Sequence, residues 1–293
     1  MHRRRILPPT FNSKFWRQYS PKRKSRYSNK TMSAIILQGE LVHYEVLGRG
    51  RPVIFLHGWV GSWRYWIPSM QAASMEFRSY ALDMWGFGDT AKLSERYLLS
   101  YQLDLLHNFY SEMGMRKIAI VGHGLGAVVG LLFAEHFSEK VDRLMTVGLP
   151  LEMKSINPRF RQSSPTELAD WLLGATPETQ AARMEAPKAD RDAILRSIEN
   201  LRSVNMIEIP NRMSTPFLLV HGLNDPGIAI ASPDRLATLS PLMHHITFAS
   251  SGHFPMLDQP TKFHRLMSDF LSLASGESPV QLQLKEEWKR RVR

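Results

Sequence analysis

The 293 residues include no cysteine, which removes disulfides, thiolate metal ligands and a cysteine nucleophile together. No apolar run approaches the roughly 20 residues that a membrane-spanning helix needs, so the expectation is a soluble, cytoplasmic body. Acidic residues are missing from the first 31 positions, which carry ten of the 37 Lys and Arg. The net charge of +10 therefore belongs to this leader, because the other 262 residues balance 27 basic against 27 acidic side chains. A core that binds nucleic acid by its overall charge is not expected. The leader also lacks the apolar stretch of about 7 to 15 residues that a secretory signal requires, being interrupted by Pro8, Pro9 and Pro21. Three readings of residues 1–31 stay open. They are an organelle presequence, a basic disordered arm that meets anionic membrane or nucleic acid through its cations and aromatics, and sequence upstream of a start at Met32. Residues 276–293 read as a polar tail, basic from Lys285 onward.

What is present is an alternation. Ala34 to Leu37 and Leu41 to Leu47 flank Gln38-Gly39 as a hairpin, and Val53 to Leu56 is a short apolar run suited to a strand buried on both faces. Strand-like runs recur at 78–82, 118–121, 141–147, 217–220 and 245–248. Between them, 99–113, 127–137 and 261–273 space their apolar residues by three and four, as covering helices do. Alternation of this kind means βαβ units and a parallel sheet. From Leu151 to about Ser214 the strands stop. Three helices are expected there: one opening at Ser164-Pro165-Thr166-Glu167, one at Pro177-Glu178 and one over 189–204.

Four landmarks follow strand ends in order: His57-Gly58-Trp59; Asp83-Met84-Trp85-Gly86-Phe87-Gly88; Gly122-His123-Gly124-Leu125-Gly126; and the pair Asp225 and Ser251-Gly252-His253. Taken alone, Asp225 is a turn residue before Pro226 and His253 a loop histidine. Their places after two consecutive strands favour chemistry instead. His57 and His221 read as structural, Asp83 as a loop-fixing carboxylate, and Trp59, Trp63, Trp66, Trp85 and Trp171 as core and pocket wall.

In order and spacing these landmarks resemble the α/β-hydrolase family over about residues 35–273, particularly its cap-bearing branch of esterases, epoxide hydrolases, dehalogenases and carbon–carbon bond hydrolases. The resemblance implies a mostly parallel eight-stranded sheet with helices on both faces. It further implies a core from 32–150 and 215–275 and a small helical cap over 151–214, with no cofactor and no metal. It assigns His253 as general base, Asp225 as the acid that orients it, and the backbone N–H groups of Trp59 and Leu125 as oxyanion donors. The family's nucleophile stands between the two glycines of the elbow, and here that residue is Gly124, with no side chain at all. His123 beside it is expected to point away from the pocket and not to replace the nucleophile.

Losing such a nucleophile costs on the order of 10⁶ in turnover. Glycine, conversely, adopts a strained elbow backbone without a Cβ clash. Two functions stay open. One is a catalytically impaired hydrolase homologue that binds a small apolar molecule, such as an ester or acyl compound, under its cap. The other is an enzyme in which His253 and Asp225 act as general base without a covalent intermediate, on a water admitted to the space left by the missing side chain.

Overall fold

The structure, a computed structural model, describes residues 33–284. The leader and the basic stretch from Lys285 lie outside them, so the three readings of residues 1–31 are not addressed by it.

Eight strands form one sheet: β1 (Ala34–Leu37), β2 (Glu40–Gly48), β3 (Arg51–Leu56), β4 (Phe77–Leu82), β5 (Ile118–His123), β6 (Val141–Val147), β7 (Phe217–Gly222) and β8 (Met243–Phe248). Their order is β1-β2-β4-β3-β5-β6-β7-β8. β1 pairs with β2, and β2 with β4, in antiparallel fashion, while every other pairing is parallel. The central strands read as continuous apolar runs because helices cover both of their faces. All six residues of β5 are buried, as are those of β7.

The first helices are α1 (Ile67–Ala73), α2 (Leu99–Glu112) and α3 (Leu125–His136). α3 is buried from Leu125 through Ala134, as expected of a helix pressed between the sheet and a neighbouring helix. The α-helices between β6 and β7 are α4 (Arg159–Gln162), α5 (Pro165–Leu172), α6 (Gln180–Glu185), α7 (Arg191–Asn200) and α8 (Ile209–Arg212), with no strand among them. Only an isolated bridge from Ile156 to Ile228 joins this segment to the rest in strand fashion. α5 begins with a capping box between Ser164 and Glu167, in agreement with its sequence. α6 starts at Gln180, later than Pro177-Glu178 suggests. The Thr179 hydroxyl donates to the Gly174 and Thr176 carbonyls and holds the preceding residues in a turn. The short α4 and α8 were not expected. After β7 come α9 (Pro233–Ala237), α10 (Pro255–Asp258) and α11 (Pro260–Ser272). α11 buries Phe263, Leu266, Met267, Phe270 and Leu271 as one stripe. Within 276–284, Pro279 is buried and Leu282 and Leu284 pack against the core.

The helical segment is tied to the core by charge. Glu185 of α6 is only 6% exposed, with Arg64 Nε at 3.0 Å, Lys188 Nζ at 3.0 Å and Ser62 Oγ at 3.1 Å. Asp190 at the start of α7 accepts from the Tyr97 hydroxyl at 2.6 Å.

Candidate functional site

The chain leaves β3 toward β4 on one side and returns to β5 on the other, so the strand order reverses between β3 and β5. In parallel sheets the carboxyl ends of strands at such a switch point border a crevice. Leu56 pairs with Gly122 across it, which brings Gly58-Trp59 alongside Gly124. The turn from β5 into α3 is sharp. A Cβ on Gly122 would lie 2.3 Å from the Gly126 carbonyl oxygen, and one on Gly126 would lie 2.3 Å from that of Leu56; only glycine permits either approach. Gly124 sits between them at φ +49° and ψ −111°, a left-handed backbone that strains any residue with a side chain. Its N–H donates to the Val147 carbonyl at 2.9 Å, and the Gly126 N–H donates to that of His57 at 2.9 Å. Leu125 is the first residue of α3, so its N–H belongs to the helix-start donors that have no intrahelical partner.

His253 and Asp225 meet as the sequence order suggests. His253 Nδ1 donates to Asp225 Oδ2 at 2.8 Å, with both side chains 1% exposed. Asp225 Oδ1 accepts from the N–H groups of Gly227 at 2.7 Å and Ile228 at 3.1 Å. Burial pushes the Asp225 carboxyl up, but the His253 charge and hydrogen bond, with the two backbone donors, outweigh it and hold the group below its ordinary value. The other imidazole nitrogen, His253 Nε2, is buried and has no hydrogen-bond partner.

His123 joins the two sides of the site. Its Nδ1 accepts from the Tyr65 hydroxyl at 2.9 Å, and that hydroxyl itself accepts from the Gly58 N–H at 2.6 Å. On the far side of the ring, Nε2 donates to the His253 carbonyl at 3.0 Å. Burial and the neighbouring His253 hold the His123 imidazole well below its ordinary pKa, so it is neutral. His57 donates to the Gly58 carbonyl at 2.8 Å and accepts from the Met84 N–H at 3.0 Å. Asp83 accepts from the N–H groups of Trp63 and Asp89, which is the work of a loop-fixing carboxylate. His43, Asp83 and Asp89 present potential ligand atoms within 4.8 Å of one another. These atoms are already engaged, His43 with Asp83 at 3.1 Å and Asp89 with Lys188 at 3.1 Å, so the cluster serves the fold.

The position of Trp59 was legible in the sequence, but the use of its ring was not. The indole is fully buried. A Cβ built on Gly124 would stand 3.2 Å from Trp59 Cε3, so the space beside Gly124 is bordered by this ring and is not open to a water from that side. Phe160 of α4 lies edge-on to Trp59 at 5.6 Å, to Trp171 at 5.9 Å and beside His253 at 5.7 Å. The Trp59 Nε1–H donates to Ser197 Oγ of α7 at 3.0 Å. Tyr65, Phe160 and Ser197 were missed: no motif marks them, since Phe160 and Ser197 reach the site from the helical segment between β6 and β7, and the turn that aims the Tyr65 hydroxyl back at Gly58 is not encoded by spacing.

Residues 51–190 match the family model described as the alpha/beta hydrolase fold. The 2-hydroxy-6-oxo-6-(2'-aminophenyl)hexa-2,4-dienoic acid hydrolase of Metapseudomonas resinovorans is 27% identical over 280 residues, covering 87% of this chain and 94% of that protein. The pimeloyl-[acyl-carrier protein] methyl ester esterase of Vibrio vulnificus is 23% identical, over 78% of this chain and 97% of its own. Among solved structures, a hydrolase from Pseudomonas aeruginosa superimposes with a TM-score of 0.74 at 18% identity, over 84% of this chain and all of the other. A serine-to-glycine variant of an N-acyl homoserine lactonase, complexed with N-hexanoyl homoserine lactone, gives 0.72 at 17% identity, over 82% and 97%. The sheet order, the turn into α3 and these superpositions show that the chain has the α/β-hydrolase fold.

Proposed function

We propose that this chain is a catalytically impaired α/β-hydrolase homologue that binds a small, mostly apolar molecule with one polar group, between the elbow at Gly124 and a cap formed by residues 151–214. The observation that carries this reading is Gly124 itself. In the family pattern the elbow, the His253–Asp225 pair and the N–H groups of Trp59 and Leu125 are the parts that acyl transfer uses, and Gly124 offers no hydroxyl, thiol or carboxylate at the position from which a carbonyl is attacked. A pair of backbone donors at such a turn still recognises a carbonyl oxygen, because the interaction needs no nucleophile. That a serine-to-glycine lactonase of the same fold holds N-hexanoyl homoserine lactone supports ligand binding without turnover. The test is a panel of short acyl esters and lactones. The expected outcome is no burst and no turnover above that of His253→Ala; turnover that His253→Ala abolishes refutes the reading.

One observation favours a second reading, in which the protein is an enzyme without a covalent intermediate. His253 Nε2 is buried and unpartnered, the condition of a base that waits for a proton donor. That reading expects turnover without an acyl adduct, dependent on both His253 and Asp225. Activity unchanged by Asp225→Asn counts against it.

A further inference from the structure

A site that holds a ligand needs room for it, and here the room beside Gly124 is taken by the protein's own side chain. The Trp59 indole has a distinct wall on each side. Its Cε3 edge faces the side-chain-free backbone of Gly124, 3.2 Å from where a Cβ would stand. Its N–H is received by Ser197 Oγ at 3.0 Å. Ser197 in turn donates to the Ala193 carbonyl at 2.6 Å, which commits its hydrogen and leaves its oxygen as an acceptor. Phe160 meets the indole edge-on, an arrangement aromatic pairs prefer. A bare backbone, an acceptor and an edge-on aromatic together describe a receptor for a flat ring with one donor.

We infer that Trp59 is the internal occupant of the pocket, standing where the ring of a ligand binds, and that the ligand class is a planar aryl or bicyclic aromatic molecule with one N–H or O–H donor for Ser197. The inference rests on the proposed ligand-binding function and deepens it. Entry requires the indole to turn out of its place and release Ser197. The free protein is therefore mostly closed, and the apparent affinity falls by the fraction that is open.

The test uses Trp59→Ala in the full chain with two probes of equal size. 3-Methylindole is the tryptophan side chain itself, and 1-methylindole has no N–H. The variant is expected to lose about 6 to 20 °C in Tm and to recover part of it, saturably, with 3-methylindole. The dissociation constant for 3-methylindole is expected to be about fivefold lower than for 1-methylindole, the worth of one hydrogen bond. Adding Ser197→Ala should erase that preference. The unmodified protein should bind 3-methylindole at least about tenfold more weakly than the variant. Absence of saturable binding to a folded Trp59→Ala, equal affinity for the two isomers, or equally tight binding by the unmodified protein each overturns the inference. If Trp59→Ala does not fold, Trp59→Leu, which keeps apolar bulk but has neither ring nor donor, is measured with the same probes and the same criteria. Ester turnover by the unmodified protein refutes the functional reading alone and leaves the isomer preference of the variants to stand or fall separately.

Discussion

Substituting Gly124 by alanine isolates what the glycine does for the fold. Two costs are visible. At φ +49° and ψ −111°, any L side chain is held in a sparsely populated backbone region, worth about 1–3 kcal/mol. The new Cβ also arrives 3.2 Å from Trp59 Cε3 and 3.4 Å from the Gly58 Cα. The first is closer than ordinary van der Waals contact, against a ring with no exposure and a hydrogen bond to Ser197. Overpacking of this kind costs about 1–3 kcal/mol. Together Gly124→Ala should lose about 2–6 kcal/mol, or about 4–24 °C in Tm at roughly 2–4 °C per kcal/mol for a domain of this size. Urea and thermal unfolding followed by circular dichroism measure it. A double-mutant cycle with Trp59→Leu separates the two costs, since the contact disappears in that background and the backbone strain does not. A Gly124→Ala protein within about 0.5 kcal/mol of the parent would show that the elbow tolerates a side chain freely, and the packing argument would be wrong. An undiminished cost in the Trp59→Leu background would assign all of it to strain.

Further outcomes follow from the same contacts. Asp225 has a folded pKa below its ordinary value of 3.8, so its stabilising contribution is complete above that value and fades as pH falls through the lower, folded one; Asp225→Asn should therefore destabilise more at pH 6 than at pH 3, as urea titrations at both will show. Burial lowers His221, His245 and His264 to about 4 from 6.5, so they are neutral when folded and charge when unfolded. Stability should fall between pH 6.5 and 4, by up to about 1.4 kcal/mol per pH unit for His221 and less for the partly exposed His245 and His264; His221→Gln should flatten the profile, and an unchanged slope would contradict the assignment. His123→Phe removes the acceptor of the Tyr65 hydroxyl proton and the donor to the His253 carbonyl, at about 1–3 kcal/mol for each buried group, and a Tm equal to the parent's would refute the bridging role. Glu185→Ala removes the shared partner of Arg64, Lys188 and Ser62, worth about 1.5–3 kcal/mol, and should speed limited proteolysis within 151–214. Cleavage at an unchanged rate would mean that the latch does not hold the helical segment down.

The sheet was legible because its signal is local. Short apolar runs such as Val53 to Leu56 and Phe217 to Val220 suit central strands, and the helical periods between the strands imply parallel crossovers. The end of α3 nearest the elbow was placed two residues late, at Ala127, because Leu125 and Gly126 look like loop and become helix only once Gly124 turns the chain. Within 151–214 the capping box at Ser164 was readable, since all its partners lie within four residues. α6 was not placed correctly, because the Thr179 hydroxyl bonds that delay it involve carbonyls whose positions the pattern does not encode. The pairing of His253 with Asp225 followed from the order of strands β7 and β8, which are neighbours in the sheet.

By itself the sequence determined the succession of strands and helices, the sharp turn that Gly122 and Gly126 impose, and the absence of any side chain at Gly124, since each depends only on residue type and short-range spacing. Tertiary structure alone decided what borders that vacancy. Trp59 comes from the β3 loop, Phe160 and Ser197 from two helices of the 151–214 segment, and Tyr65 from the approach to α1. They converge because the chain reverses its strand order between β3 and β5 and folds its helical segment back over that point. Such packing is set by the three-dimensional path of the backbone, which no local pattern of residues records.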